Sequence, residues 1–173
     1  ANKAQYPIAV IVDSGCDLPD EVVDALNIHV IPVKLNFGDV HYVDKVSLTS
    51  KEFWNELEKN PVHPQTSQPS PGDFRRQYQF LSSHYESATS IHIPEKASGT
   101  YQSAVTASKT VAKFPIEIKD SLNGSIGLGL IAMSAAEAIK KKHDFNEVSK
   151  IVDHAIENTT LFIGLKELNN VVK

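Results

Sequence analysis

Hydroxyl side chains recur at a few places in this sequence, each beside the end of a strand or the start of a helix. The densest place is Thr66-Ser67-Gln68-Pro69-Ser70-Pro71-Gly72-Asp73. Ser70 followed by Pro71 reads as an N-cap and first helical position, with Asp73 three residues beyond the cap. Phe74, Tyr78 and Leu81 then recur at helical spacing. Thr66 and Ser67 should therefore sit near a helix N-terminus, where unpaired N–H groups favour an anion. Asp13-Ser14, Ala97-Ser98-Gly99-Thr100 and Asp120-Ser121 with Ser125 have the same character. Their shared chemistry is the holding of one anionic group by neutral hydroxyls and backbone N–H groups. That suits a carboxylate or a single phosphate better than a polyphosphate, and the sequence has no G-x-x-x-x-G-K-[ST] loop. Each motif taken alone also has a structural reading. Ser and Thr are the usual N-caps, and Asp13 and Asp120 can simply tie down loops.

Other chemistries find less support. A serine nucleophile needs a base oriented by a third group. No G-x-S-x-G elbow is present, because Gly124-Ser125-Ile126-Gly127 has the wrong spacing. None of the seven histidines has a telling context. Cys16 lies near a helix N-terminus, which lowers a thiol pKa, but a small buried thiol is the simpler reading. The His and Cys residues lack zinc-ligand spacing, so no metal site is expected. Gly127-Leu128-Gly129-Leu130-Ile131-Ala132 matches G-x-G-x-x-A, yet no acidic residue ends a second strand about twenty residues on. Small residues that let a helix pack closely explain it better. Arg75, Arg76 and Lys96 flank the hydroxyl loops and read mainly as solvated surface charge.

The elements that must position these loops alternate in type. Ile8 to Val12 is a continuous apolar run, as in a strand buried on both faces. Pro19 to Leu26 reads as a short helix with Val22, Val23 and Leu26 inward. Ile28 to Leu35 reads as a second strand, and Val40 to Val43 as a hairpin arm after Asn36-Phe37-Gly38-Asp39. Thr49 and Glu52 form a capping box, with Leu48 stapled onto Phe53 and an apolar stripe of Phe53, Trp54 and Leu57. After the organising loop and its helix, Ala88 to Ile93 reads as a strand. The next helix should carry Tyr101, Ala104, Val105, Ser108, Val111 and Ala112 on one face. Pro115 to Lys119 is a further strand, followed by helices over about Ile126 to Lys142 and after Asp144, with Glu147 completing a cap. Leu161 to Leu165 reads as a final short strand, and Glu167 to Val172 as the start of a helix. Alternation of this kind predicts an α/β fold: three layers, α/β/α, around a mostly parallel sheet with a local β-hairpin. Ligands of such sheets bind beyond the carboxyl ends of the strands, where the strand order reverses.

The bulk composition agrees. The 173 residues, 41% hydrophobic and 22% charged, suit one soluble globular domain. A net charge of −4 gives no footprint for nucleic acid. A single cysteine excludes an internal disulfide. No apolar run approaches the roughly 20 residues of a membrane helix, and the first residues are polar, so a cytoplasmic protein is expected.

Several stretches together resemble the DegV family, the bacterial fatty-acid-binding proteins that serve as the lipid-carrying subunit of fatty acid kinase. They are Asp13-Ser14 with Asp17-Leu18-Pro19, Thr66-Ser67-Gln68-Pro69-Ser70, and Ser98-Gly99-Thr100-Tyr101-Gln102-Ser103-Ala104. Asp120-Ser121 with Gly127 and Gly129 completes the set. The resemblance implies a protein that buries a long-chain fatty acid and fixes its carboxylate through Thr66 and Ser98, with Ser14, Ser67, Gly99 and Ser121 as neighbours. It implies no catalysis and no cofactor beyond the bound fatty acid. A separate ATP-dependent kinase would phosphorylate the carboxylate, giving an acyl phosphate for phospholipid synthesis. Two departures stand out. Ala97 occupies a position where the family often has a bulkier apolar residue. Family members also carry a second α/β domain, so residues 1–173 are expected to be the N-terminal domain alone. The alternative from another class is a small hydrolase or phosphoryl-transfer enzyme using Ser14, Ser98 or Cys16.

Overall fold

The computed structural model describes residues 5–165. Its centre is a parallel sheet of β1 (Ile8–Asp13), β2 (Ile28–Ile31), β6 (Ser87–His92) and β7 (Ile116–Asp120), in the order β2-β1-β6-β7. Every residue of β1 and β6 is buried, as expected of inner strands covered on both faces. Side chains alternate between the faces. Val10 and Val12 join a core with α1 (Asp20–Leu26), α5 (Ser125–Lys140) and α6 (Phe145–Glu157). Ala9 and Ile11 join a second core with α3 (Pro71–Ser82) and α4 (Thr100–Ser108). The result is the three-layer α/β/α arrangement the alternation predicts.

The predicted strand over Ile28 to Leu35 is two strands. Pro32 has no N–H to give a ladder, and the chain leaves the main sheet there. It resumes as β3 (Lys34–Phe37), the middle strand of a small antiparallel sheet in the order β4-β3-β5, with β4 (Val40–Val43) and β5 (Gln65–Ser67). Gly38, at φ +59°, makes the turn between β3 and β4. Leu35, Phe37 and Leu48 form the satellite core of this sheet, with Phe53 and Leu57 of α2 (Ser50–Lys59) packed on it. Trp54 does not join the predicted stripe and is 62% exposed. One residue on from Phe53, it is turned about 100° away around the helix.

Capping is as the sequence predicts. Thr49 with Glu52, Ser70 with Asp73, and Asp144 with Glu147 all form reciprocal capping boxes. The face of α4 differs from the expected one. Thr100, Ser103, Ala104 and Ala107 are buried, and the helix ends at Ser108, short of Val111. Its small residues set the face, because they let α4 lie close against α3. Leu161 to Leu165 forms no strand: it finds no partner edge among the described residues, and Phe162 and Ile163 stand exposed. The helix expected over Glu167 to Val172 lies outside the described residues.

Candidate functional site

The strand order reverses between β1 and β6, which places the loops after them at the position where open α/β sheets bind ligands. Thr66 and Ser67 approach that edge from the small sheet. They lie on β5, in register with Leu35 and Lys34 of β3, rather than in a loop. Both are exposed, and neither hydroxyl takes a hydrogen-bond partner among the described residues. Pro69 is buried and anchors the segment, and Ser70 caps α3.

Ser98 closes the loop after β6. It is half-buried, 2.9 Å from the Thr100 hydroxyl, and its Oγ accepts the Thr100 N–H at 3.3 Å. Gly99 is the N-cap of α4, whose first N–H groups have no intrahelical acceptor. Gln68 joins the two hydroxyl segments. A Cβ on Gly99 would stand 2.5 Å from Gln68 Nε2 and 2.9 Å from Cδ, so the Gln68 amide lies directly against the bare Gly99 backbone. That contact brings the segment of Thr66 and Ser67 to the segment of Ser98.

Charge beside this site is modest. Lys34 Nζ is 3.1 Å from Asp73 Oδ2, and Arg76 pairs with the other oxygen of the same carboxylate. Partial burial opposes the ionisation of Asp73. The Ser70 hydroxyl and N–H and the Lys34 ammonium outweigh it and lower the Asp73 pKa to about 2. Asp73 thus consumes much of the positive charge near Thr66.

The model of the DegV family matches residues 7–173. The chain belongs to the DegV family. A DegV domain-containing protein of Staphylococcus aureus is 37% identical over 164 residues, covering 95% of this chain and 58% of that protein. The structure of DegV from Bacillus subtilis, a fatty acid binding protein, superposes with a TM-score of 0.84 at 30% identity, covering 88% of this chain and 55% of that one. A fatty-acid-binding DegV family protein from Thermus thermophilus gives 0.80 at 28% identity, covering 87% and 54%. The chain therefore spans little more than half the length of the DegV relatives it matches.

The other residues expected at the site have been drawn into the fold. Ser14 is buried, and its Oγ accepts the Val33 N–H at 3.0 Å, just past the break at Pro32. Ser121 is buried, donates to the Asn123 carbonyl at 2.6 Å and accepts the Asn123 N–H at 3.2 Å. Cys16 is buried and burial pushes its thiol pKa up, the environment of an inert thiol. Among the described residues no histidine bonds to Ser98, and no cluster of potential metal ligands forms. Gly127 and Gly129 serve packing. A Cβ on Gly129 would stand 2.7 Å from the Cys16 carbonyl oxygen, so α5 approaches the first loop only through a bare backbone.

One group of residues was not anticipated. Tyr78, Ser90, His92 and Asp13 form a fully buried chain of hydrogen bonds at the reversal point. The available signals were a Ser-x-His alternation on one face of β6, an acid at the end of β1, and a helical-period tyrosine whose hydroxyl must find a partner once buried.

Next to Ala97 lies an open cleft of about 570 Å³ between Pro94, Leu122, Gly124, Ile156, Leu161 and Ile163. Leu122, in the loop before α5, and Ile126 and Leu130, on α5, are exposed. Among the described residues no helix is long and apolar enough to cross a membrane.

Proposed function

We propose that this domain binds a long-chain fatty acid, with the carboxylate held by the Thr66 and Ser98 hydroxyls and with Ser67 and Gly99 beside them. The observation that carries this reading is the seating of Gln68 on Gly99, which joins the exposed hydroxyls of Thr66 and Ser67 to the half-buried Ser98. The fatty acid binding of the Bacillus and Thermus relatives supports the ligand class. The acyl tail runs past Ala97 toward the apolar cleft at Leu122, Ile156 and Ile163. The remaining length found in the relatives, a second domain, closes over that cleft and the Leu122–Leu130 face.

Energetics divides the work between the two ends of the ligand. Each buried methylene contributes roughly 0.8 kcal/mol, so about fourteen of them supply on the order of 10 kcal/mol before ordering costs. A hydrogen bond to a charged group contributes roughly 1.5–3 kcal/mol. The tail sets affinity, and the hydroxyls set the place and orientation of the carboxylate.

The site acts as a carrier in the cytoplasm and presents the carboxylate to a separate ATP-dependent kinase. Native mass spectrometry of the purified protein, at this length and extended to the length of the Staphylococcus relative, tests the reading. A co-purifying species of fatty acid mass is the expected result. Absence of lipid at both lengths, even after incubation with palmitate, would overturn it.

A further inference from the structure

The hydrogen-bonded chain at the reversal point has no solvent exposure at any of its four side chains. The Tyr78 hydroxyl lies 2.9 Å from Ser90 Oγ, Ser90 Oγ 2.7 Å from His92 Nε2, and His92 Nδ1 3.1 Å from Asp13 Oδ2. The donors follow from the acceptors. A carboxylate only accepts, so the His92 Nδ1–H donates to Asp13. In the neutral imidazole Nε2 then accepts from Ser90, whose oxygen accepts from Tyr78. Burial pushes the Tyr78 pKa up, with the Ser90 hydrogen bond opposing only in part, so the phenol keeps its proton to donate. The Phe74 ring meets the His92 ring edge-on, centroids 5.0 Å apart.

Both ends of this chain fasten onto segments of the site. Asp13 Oδ2 also accepts the Ile93 N–H at 2.9 Å, and Oδ1 accepts the Gly15 N–H at 3.0 Å. Ile93 opens the loop that carries Ser98. The His92 carbonyl accepts the Ser121 N–H at 3.0 Å, which fixes the loop after β7 as well. Tyr78 lies on α3, about two turns beyond the Ser70 cap that follows Thr66 and Ser67. A Ser–His–Asp order would suit hydrolysis at an open surface, but Ser90 has no exposure through which a substrate could reach it.

We propose that Tyr78, Ser90, His92 and Asp13 are positioning residues for the carboxylate site: their buried chain sets the separation between the Thr66 strand and the Ser98 loop. The inference rests on the fatty acid reading for its function and on the geometry alone for its mechanics. A buried, fully satisfied polar chain has few alternative arrangements, so it holds two elements at one spacing where an apolar contact would let them slide.

The test uses Tyr78→Phe, which removes one hydroxyl and keeps the ring, and the pair His92→Leu and His92→Asn. Asn places an amide N–H where Nδ1–H stood and keeps the tie to Asp13. Palmitate affinity is measured well below the melting temperature, and the amide resonances of Gln68 and Gly99 are recorded without ligand. Tyr78→Phe is expected to weaken palmitate binding about three- to tenfold and to shift both resonances. His92→Leu is expected to do the same, with His92→Asn recovering most of the affinity. Unchanged affinity and unshifted amides in folded Tyr78→Phe would overturn the inference, because a merely structural role lowers only the melting temperature. Should Tyr78→Phe fail to fold, Ser90→Ala is read in the same way. A wild-type protein that binds no palmitate defeats the fatty acid reading instead, and the amide shifts then decide the mechanics.

Discussion

Two sets of hydroxyls lie at the same edge of the sheet and behave oppositely. Ser14, Ser90 and Ser121 are buried, and each is engaged by a protein donor or acceptor. Thr66 and Ser67 are exposed without partners among the described residues, and Ser98 stands between the two sets, half-buried with the Thr100 hydroxyl and N–H on its Oγ. On the fatty acid reading, the difference separates framework from recognition. A hydroxyl committed to a buried backbone group cannot turn to a ligand without leaving that group unsatisfied, at a cost of about 1–3 kcal/mol. A hydroxyl facing water exchanges one partner for another at little cost. The inner set fixes the loops, and on the proposed reading the outer hydroxyls meet the carboxylate.

Removing the outer set should give the largest effect on binding. Thr66→Val with Ser98→Ala is expected to lower fatty acid affinity on the order of 100-fold or more, since two charge-assisted hydrogen bonds are lost. The melting temperature should barely move, and calorimetric titration beside a thermal scan checks both. Changes on the inner side should reverse that pattern. Gly129→Ala drives a methyl onto the Cys16 carbonyl oxygen, a backbone atom that cannot step aside. It should cost about 1–3 kcal/mol in urea unfolding. Ser14→Ala strands the Val33 N–H and should cost about 1–2 kcal/mol in the same assay, without the affinity loss of the outer pair.

Gly99→Ala falls between the two sets. Its new methyl meets the far end of a flexible side chain, so Gln68 swings away at little cost to stability. Affinity should fall by a few-fold, because the two hydroxyl segments lose the amide between them. The smallest effect concerns pH. Asp73 has a folded-state pKa near 2, below the ordinary carboxylate value of about 4. Its stabilising contribution is therefore complete above about pH 4 and lost as pH falls through about 2. The gap in melting temperature between wild type and Asp73→Asn should be steady near neutrality and close over that acid window.

The sequence was most readable where one local rule sufficed. The apolar run at Ile8 to Val12, the Ser70-Pro71-Gly72-Asp73 start signal and the Phe74, Tyr78, Leu81 stripe each led directly to the observed element. Reading failed where a tertiary partner decided. Pro32 splits a run that hydropathy alone would join. Thr66 and Ser67 become a strand only because β3 offers an edge. The face of α4 is chosen by what packs on it, not by its own periodicity. The same limit applies at the site. Ser14, Ser98 and Ser121 look alike in sequence and each accepts a backbone N–H, and only burial, complete at Ser14 and Ser121 and partial at Ser98, distinguishes them.

The most direct measurement is the carboxyl carbon resonance of carboxyl-labelled palmitate bound to the family-length protein, compared with Thr66→Val and Ser98→Ala. The resonance should move in each variant while the terminal methyl resonance stays in place, because only the carboxylate loses a partner. A carboxyl resonance that is the same in wild type and both variants would contradict the assignment of Thr66 and Ser98.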